Sequence, residues 1–478
     1  MNVLLIYPPY SFKELYPDFM IKIKKGFGLI PGPLIPLGLL YIAAILREKN
    51  HKVSFIDGAF HNTQEIINYA KKINPHIIGL SICTAAWGKT KNFIKELKAQ
   101  LPNSMIVIGG PHPTALRERC IQECPAIDFV CVGEGELTLL ELCNSLDRKN
   151  KANIKKIKGI IWKNKNKIIR NPLRELINNL DTLSFPARDL VNNSQYIPAV
   201  SQYKRLPNTI MITSRGCPYN CKFCDSTTFY REMKIPYRER SVQNVIEEIE
   251  DIVTEFGINN IIFFDETFTC NKKRVLSICD ELIKKKIDIT WSANSRVDTI
   301  NKELLKKMKK AGCWKLLYGI ESAVQKNLNN VNKGTNLMQI KKAIQITKKA
   351  GIKTFGGFVL GLPGETYQDG LRTIKLACTL NLDYAKFKVM TPFPSTEIYK
   401  NSQSYGKVLS FSDMNTHTIS FIPYTMTKSE LEGLFKLSYQ KFYMRPSYII
   451  KKVFEMRTNE DLKQNFKAFR AFSHIEVD

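Results

Sequence analysis

Short apolar runs alternate with amphipathic stretches through two long blocks of this chain, residues 1–147 and 209–395. In the first block, nearly continuous β-branched runs predict strands at 3–7, 53–57, 77–82, 105–109 and 129–132, with helices between them at 37–49, 64–73, 91–100 and 137–146. Such uninterrupted apolar strands are typical of a sheet buried on both faces. The alternation predicts an α/β fold with a doubly wound parallel sheet, in which a ligand binds at the carboxyl ends of the strands.

The second block repeats the strand–helix unit six times, with strands predicted at 209–213, 260–264, 289–293, 315–320, 353–360 and 385–389. The helix predicted over 242–256 has apolar residues at a 3.6-residue period, with Ser241 to cap its start and Gly257 at its end. Residues 148–208 are predicted to be a linker with a β-hairpin. Residues 396–478 are predicted to form a mostly helical C-terminal region.

Three cysteines, Cys217, Cys221 and Cys224, follow the first strand of the second block. Gly216 and Pro218 let the backbone wrap, so that the thiolates can converge on one small object. Three thiolates suit a cubane iron–sulfur cluster, where each holds one iron and the fourth iron stays open to substrate or cofactor. The alternatives are a structural zinc site, which would need a fourth ligand, and a disulfide, which would leave one thiol over.

This Cys-x3-Cys-x2-Cys loop resembles the signature of the radical S-adenosylmethionine (SAM) superfamily. The resemblance implies that Cys217, Cys221 and Cys224 hold a [4Fe-4S] cluster whose open iron binds the amino and carboxylate groups of SAM. It also implies that residues 209–395 form a partial TIM-like (β/α)6 barrel with the site at the carboxyl ends of its strands. In that family, the residue before the third cysteine, here Phe223, packs near the adenine of SAM.

Four later strands of this barrel end in residues that suit SAM binding, and these are Asp265 and Glu266, Arg296, Glu321 and Ser322, and Gly361. An acid at 265 or 266 could accept hydrogen bonds from the SAM ammonium, although a helix N-cap is the alternative. Arg296 could pair with the methionine carboxylate or form an ordinary surface salt bridge. Glu321 has the reach for ribose hydroxyls, and glycines around Gly361 would let the backbone approach adenine.

Small residues follow the later strands of the first block: Ser81 and Thr84 after the third, Gly109 and Gly110 after the fourth, and Gly133, Glu134 and Gly135 after the fifth. Ordinary tight strand–helix turns would account for these residues equally well. The set also resembles the Rossmann-like cobalamin-binding domain that precedes many radical SAM domains. The resemblance implies that residues 1–147 bind cobalamin, with these loops around its nucleotide tail.

One departure from that domain concerns the axial ligand of cobalt. Cobalamin domains that ligate cobalt use Asp-x-His-x-x-Gly after the first strand, where this chain has Pro-Pro-Tyr-Ser-Phe at 8–12. We therefore expect cobalamin to bind without a protein imidazole. His112 is a conceivable substitute, but it lies between two prolines in the double-glycine loop, and a role in loop packing is expected.

The net charge of +27 would suit a nucleic-acid or acidic-lipid partner. The lysines are spread along predicted helices instead of concentrated in one segment, so no nucleic-acid partner is expected. Several of the 12 cysteines lie in apolar strands or helices, as reduced buried thiols do. No signal peptide and no membrane-spanning stretch is evident in the sequence, which favours a cytoplasmic protein.

Together these resemblances imply a cobalamin-dependent radical SAM enzyme that cleaves SAM reductively and methylates an unactivated carbon or phosphorus of a small molecule. Rearrangement or cyclisation without methyl transfer is one alternative, and RNA modification is another. RNA-modifying members usually have a second set of cluster cysteines, which Cys83, Cys120 and Cys124 do not form. A cobalamin carrier would leave the cysteine loop unexplained. We expect a flavodoxin or ferredoxin as electron donor and a monomeric protein, and no motif identifies the substrate.

Overall fold

The computed structural model describes residues 1–9, 32–147, 151–165, 167–226, 228–409 and 414–455. Its first sheet has seven strands in the order β2-β1-β3-β4-β5-β6-β7. These strands are β1 (Asn2–Tyr7), β2 (Lys52–Asp57), β3 (Ile77–Ser81), β4 (Met105–Gly109), β5 (Phe129–Cys131), β6 (Ile160–Asn164) and β7 (Lys167–Arg170). Strands β1 to β5 are parallel, and the chain changes direction between β1 and β3. Ligands bind at such a switch point in doubly wound sheets.

Helices cover both faces of the first sheet, and these are α1 (Leu37–Glu48), α2 (Thr63–Ile73), α3 (Trp87–Gln100), α4 (Pro111–Leu116), α5 (Glu118–Glu123) and α6 (Glu136–Asp147). Val3 and Leu5 of β1 pack in a core with α1 and α6, whereas Leu4 and Ile6 pack in a second core with α2 and α3. Alternate side chains of one strand therefore reach opposite layers. This confirms the predicted doubly wound sheet.

The hairpin predicted within the linker forms, and β6 pairs antiparallel with β5. It covers the exposed edge of β5 and extends the first sheet. Beyond it the linker consists of single 3-10 turns at Leu180–Thr182, Arg188–Leu190, Asn193–Gln195 and Val200–Gln202. The buried Arg188 holds the linker against the second sheet through Glu248, at 2.8 Å, and the hydroxyl of Thr209, at 2.6 Å.

The second sheet has six parallel strands in chain order: β8 (Asn208–Met211), β11 (Asn260–Phe263), β12 (Thr290–Ser295), β13 (Cys313–Glu321), β14 (Lys353–Leu360) and β15 (Tyr384–Val389). A short ribbon, β9 (Ser214–Gly216) with β10 (Tyr237–Glu239), follows β8. The helices are α7 (Thr228–Glu232), α8 (Val242–Thr254), α9 (Lys272–Lys284), α10 (Lys302–Lys310), α11 (Gln325–Asn330), α12 (Leu337–Lys349) and α13 (Tyr367–Thr379). The hydroxyl of Ser241 caps α8 as expected. These strand–helix units confirm the predicted partial barrel.

The described part of the C-terminal region contains a ribbon, β16 (Gly406–Val408) with β17 (Phe421–Pro423), and the helices α14 (Glu397–Lys400), α15 (Ser402–Tyr405), α16 (Lys428–Tyr443) and α17 (Pro446–Glu455). Helix α16 packs against the outer face of β15 and against α13. The predicted helical tail at 456–478 lies outside the described residues. Among the described residues, no helix is long and apolar enough to cross a membrane.

Candidate active site

The cysteine loop leaves β9 at Gly216, whose φ of +83° belongs to the left-handed region that favours glycine. Cys217 and Cys221 are buried, Cys224 is half-buried, and the amide of Cys224 donates to the carbonyl of Cys221 at 3.2 Å. Burial, together with the charges of Glu266 and Asp225, raises the pKa of the Cys224 thiol to about 12. Thiolates in such surroundings need bound cations as partners, so the loop fits a metal cluster.

The alternatives to a cluster do not fit this loop. All twelve cysteines are free, which excludes a disulfide in this structure. Within the described residues, no three His, Cys, Asp or Glu side chains converge closely enough to hold one metal ion. A zinc site requires that convergence, whereas a cubane distributes its thiolates over separate irons.

Asp265 does not occupy the position predicted for a ligand of the SAM ammonium. Its carboxylate is 1% exposed and accepts hydrogen bonds from the amides of Thr213, at 2.6 Å, and Ser214, at 3.1 Å, and from the hydroxyl of Thr213, at 2.5 Å. These bonds hold the segment that leads into the cysteine loop. The prediction for Asp265 is therefore corrected to a structural role.

The neighbouring Glu266 faces the other way and exposes its carboxylate to a cavity between the two domains. Loss of bulk water raises the pKa of Glu266 to about 7, and the charge of Asp225 adds to this effect. Of the two acids predicted at this strand end, only Glu266 is placed to meet a ligand.

Arg296 lies beside the cysteine loop but is already engaged by the protein. Its guanidinium makes a bidentate pair with Asp298, at 2.9 and 3.0 Å, and donates to the carbonyl of Lys333 at 2.9 Å. It stacks on Tyr219 at 3.7 Å, and its Nη1 lies 3.9 Å from the Sγ of Cys221. The predicted pairing with the SAM carboxylate could therefore use Nη1 alone, since the other nitrogens are occupied.

The predicted residues after β13 and β14 also have protein partners. Glu321 forms a buried ion pair of 2.7 Å with Lys333. Ser322 is fully buried and bonds to Thr373 and to the amide of Val324, so its predicted contact with SAM is corrected to a structural one. Gly361 has a φ of +79°, and the side chain of Leu431 occupies the space that a Cβ would need. The left-handed backbone therefore favours glycine here, and the contact with Leu431 of α16 leaves little space for a side chain.

Phe223 is half-buried in a small apolar cluster with Val331, Val359, Leu362 and Met390. This cluster lies on the inner face of the barrel sheet and borders the cysteine loop. The position is compatible with the predicted contact to adenine.

A cavity of about 410 Å³ lies between the carboxyl edges of the two sheets. Its first-domain wall includes the predicted residues Ser81, Gly109, Gly110, Gly133, Glu134 and Gly135, and its barrel wall includes Arg215, Gly216, Tyr230, Phe264 and Glu266. A Cβ added at Gly109 would lie 3.6 Å from the Cβ of Cys131, which is an ordinary contact distance. Gly110 differs, because its φ of +99° favours glycine. A bare-backbone wall of this kind fits a large flat cofactor such as cobalamin.

Thr84 and Gly133 were predicted to contact cobalamin, but Thr84 lies away from this cavity and a protein side chain covers Gly133. Thr84 does not line it, and its hydroxyl lies 3.3 Å from Nδ1 of His112. His112 is 1% exposed and packs against Trp87, and burial lowers its pKa to about 4, in keeping with the expected role in loop packing. The ring of Phe229 fills the space above Gly133. Residues 10–12, where a cobalt-ligating histidine is missing, lie outside the described residues.

The sequence analysis missed a charge cluster that joins the two domains. Glu134 pairs with Arg215 at 3.0 Å and with Arg238 at 2.7 Å, and Glu136 pairs with Arg215 at 2.6 Å. All four side chains are nearly buried. Acidic residues after β5 and an arginine before the first cysteine were visible in the sequence, but nothing in it paired positions about 80 residues apart.

The fold and site define a class of protein: a three-cysteine cluster loop at the edge of a parallel barrel sheet, facing a doubly wound domain across a glycine-lined cavity. The radical SAM superfamily profile matches residues 211–377, and the B12 binding domain profile matches residues 24–143. The chain belongs to the radical SAM superfamily and contains a B12 binding domain. These matches confirm the predicted family, fold class and enzyme class, and with them the [4Fe-4S] cluster, SAM and cobalamin as cofactors.

Among the relatives is an uncharacterized methyltransferase of Pyrococcus horikoshii, 36% identical over 95% of both chains. Another is the anaerobic magnesium-protoporphyrin IX monomethyl ester cyclase of Rubrivivax gelatinosus, 30% identical over 94% of this chain and 78% of that protein. The fold is similar to that of the radical SAM methyltransferase TsrM from Kitasatospora setae, with a TM-score of 0.70, 16% identity and coverage of 93% of this chain and 90% of TsrM.

Proposed function

We propose that this enzyme transfers a methyl group to an unactivated carbon or phosphorus of a small molecule. The main support for this proposal is the cavity that both domains line. In this cavity the glycine loops of the B12 binding domain lie close to Gly216, which precedes the first cysteine. The Pyrococcus relative is named as a methyltransferase, and so is a cytidylyl-2-hydroxyethylphosphonate methyltransferase of Streptomyces wedmorensis, 24% identical over 79% of this chain and 80% of that protein. Both names support methyl transfer.

In this proposal Cys217, Cys221 and Cys224 hold the cluster, and the glycine-lined cavity holds cobalamin. When bound, the cluster supplies the electron that cleaves SAM and cobalamin supplies the methyl group. Of the two acids predicted for this role, Glu266 accepts hydrogen bonds from the SAM ammonium. Phe223 packs against adenine, and Glu321 stays available to ribose through its second oxygen.

The residues of the chain contribute position and exclusion of water. Arg215 and Glu136 fix the distance between the two cofactor sites, because both are buried and paired. Phe229 and Tyr230 close the barrel side of the cavity. A dry cavity protects a reactive substrate from side reactions with water.

Cyclisation without methyl transfer is the second candidate. It is favoured by the cyclase of Rubrivivax gelatinosus, which matches nearly the whole chain at 30% identity. Both candidates use the same cofactors, so only the products of SAM distinguish them.

The test is product analysis of the reconstituted enzyme with SAM, cobalamin, a reductant and a small-molecule extract. Methyl transfer consumes one SAM as radical source and another as methyl donor, so 5′-deoxyadenosine and S-adenosylhomocysteine should appear in roughly equal amounts. A new product with 5′-deoxyadenosine but no S-adenosylhomocysteine would favour cyclisation. S-adenosylhomocysteine alone would contradict the radical step.

We also propose a cytoplasmic monomer that receives its electron from a flavodoxin or a ferredoxin. The proposal on the donor rests on the reductive cleavage of SAM. It is tested by whether a reduced flavodoxin or ferredoxin replaces the chemical reductant, and the monomer is tested by sedimentation.

A further inference from the structure

Strand β15 presents two lysines, Lys386 and Lys388, on one face. Ala385, Phe387 and Val389 alternate with them and belong to the core between the sheet and α16. Because side chains alternate along a strand, Lys386 and Lys388 point to the inner face of the barrel. Both are half-buried.

The neighbours of these lysines leave space beside them. In the register of β14 and β15, Gly357 lies opposite Lys386 and Val359 lies opposite Lys388. A Cβ at Gly357 would meet only the carbonyl of Tyr318, at 3.6 Å. Val359 belongs to the cluster that contains Phe223, so the lysines adjoin the inner wall next to the cysteine loop.

A third basic residue, His417, comes from the segment that runs along the free edge of β15. The amide of Val389 donates to the carbonyl of Thr416 at 3.0 Å, and the hydroxyl of Thr391 donates to the carbonyl of Asn415 at 2.9 Å. Burial lowers the pKa of His417, and the charges of Lys386 and Lys388 lower it further. His417 is 7% exposed, and its segment borders the end of the strand that bears Lys386 and Lys388.

The two lysines differ from the other buried lysines of the barrel. Lys333 pairs with Glu321 at 2.7 Å, and Lys315 donates to the carbonyl of Ser201 at 2.7 Å. Among the described residues, the ammonium group of neither Lys386 nor Lys388 forms a hydrogen bond or an ion pair with another side chain or with the backbone. Desolvation and the charge of Lys388 lower the pKa of Lys386 to about 7. A half-buried ammonium group without a protein acceptor is poorly solvated, and a bound anion would stabilise it.

Two further cavities lie between His417 and the cobalamin cavity. Asp225 follows the third cysteine and lies on the wall of two neighbouring cavities. A cavity of about 250 Å³ is lined by Thr84, Pro111, Asp225, Phe393 and His417. A second cavity, of about 380 Å³, is also lined by Thr84, Pro111, Asp225 and Phe393. This second cavity shares Glu266 with the cobalamin cavity. The walls of these cavities thus run from His417 to the cobalamin cavity.

We propose that the substrate of this enzyme bears an oxyanion, a carboxylate or a phosphate, that binds between Lys386 and Lys388 with His417 beside it. This inference rests on the proposed function, because it names the substrate class of the same site. A lysine ammonium group is a compact charge that can bind a carboxylate or a phosphate. Unlike an arginine guanidinium group, it does not impose a bidentate geometry on the anion. With the anion held at β15, the rest of the substrate extends toward Asp225 and the cysteine loop.

The test is calorimetric titration of the full-length enzyme, loaded with cluster, cobalamin and SAM, with inorganic pyrophosphate and separately with glutarate. We expect at least one anion to bind the wild type, and its Kd to rise roughly tenfold to a hundredfold in the double variant Lys386→Met/Lys388→Met. The tighter of the two anions identifies phosphate or carboxylate. Lys315→Met is the matched control, because it removes an inner-face lysine at the other end of the barrel and should bind as the wild type does.

Iron content and cobalamin absorbance check that each variant folds, and the single variant Lys388→Met serves if the double variant does not. Unchanged Kd values in the variants, or no anion binding to the wild type, would overturn the proposal. A parallel loss of SAM affinity would overturn it too, because the lysines would then serve the SAM carboxylate. Anion binding needs no turnover, so failure of methyl transfer with intact binding would count against the proposed function alone.

Discussion

Glu136 at the start of α6 and Arg215, two residues before the first cysteine, form an ion pair of 2.6 Å across the domain boundary. Their side chains are 6% and 13% exposed. The same arginine also pairs with Glu134, at 3.0 Å. The loop that follows β5 is thus tied directly to the segment that leads into the cysteine loop.

The first prediction concerns this pair. Arg215→Met leaves the buried carboxylate of Glu136 without a partner, whereas Glu134 keeps Arg238, and it should lower the free energy of unfolding by about 3–5 kcal/mol. The measurement is urea unfolding of the anaerobic protein. Arg47→Met removes an exposed pair with Asp189 and should cost less than about 1 kcal/mol. Equal losses in the two variants would contradict the structural importance of the interdomain pair.

The second prediction concerns the cluster. Replacement of Cys217, Cys221 or Cys224 by Ala should reduce iron from about four per chain to near zero and abolish formation of 5′-deoxyadenosine. Cys270→Ala is the control, because this half-buried thiol lies near Cys217 without belonging to the loop. Its iron content should match the wild type. SAM cleavage that persists in all three single variants would refute the assignment.

The third prediction separates the two acids after β11. Asp265→Asn replaces an acceptor of three hydrogen bonds with a group that partly repels the same donors, and it should destabilise the protein by about 1–3 kcal/mol. Glu266→Gln should leave thermal unfolding unchanged and weaken SAM binding. The measurements are calorimetric unfolding and SAM titration. The reverse pattern would restore Asp265 as the SAM ligand.

The fourth prediction concerns pH. Because folding lowers the pKa of Lys386 to about 7, the unfolded chain binds more protons between that value and the ordinary lysine pKa. The stability of the wild type should therefore rise as pH increases from 7 to 9, and Lys386→Met should remove on the order of 1 kcal/mol of that rise. The charge of Lys388 contributes to this shift, both lysines lower the pKa of His417, and burial lowers the pKa of Lys315 to about 7 as well. An identical pH slope in the variant, measured by urea unfolding, would contradict the lowered pKa of Lys386.

The fifth prediction concerns cobalt. Electron paramagnetic resonance of the bound cob(II)alamin should show no nitrogen splitting from an axial ligand, because His112 is buried against Trp87. The spectrum of His112→Ala should equal that of the wild type. Splitting that disappears in this variant would make His112 the ligand after all.

The secondary structure was predictable because it depends on local periodicity. The predicted strands of both sheets agree with the observed ones to within two residues at most ends, and Ser241 caps α8 as its sequence position suggested. The hairpin was also predictable, but its pairing with β5 was not. Such pairing depends on contacts between distant segments.

For the site, the sequence located the cysteine loop but did not determine the roles of the individual residues around it. The sequence placed Asp265 and Glu266 together at a strand end, but alternation sends one inward to Thr213 and the other to the cavity. Ser322 was chosen for its position and proved to be buried against Thr373. Lys386 and Lys388 were missed, although their alternation with Phe387 is itself the pattern of a strand with one polar face.

The hydroxyls of Tyr439 and Tyr443 on α16 donate to the carbonyls of Phe387 and Ala385, at 3.0 and 2.6 Å. The strand that bears the two lysines is thereby secured from outside by the C-terminal region, whereas the cysteine loop and the glycine loops are secured by each other. Mutations in α16 can therefore reshape the wall opposite the cofactors and leave their sites intact. Substrate preference in such an architecture is free to diverge over evolution without loss of the underlying radical chemistry.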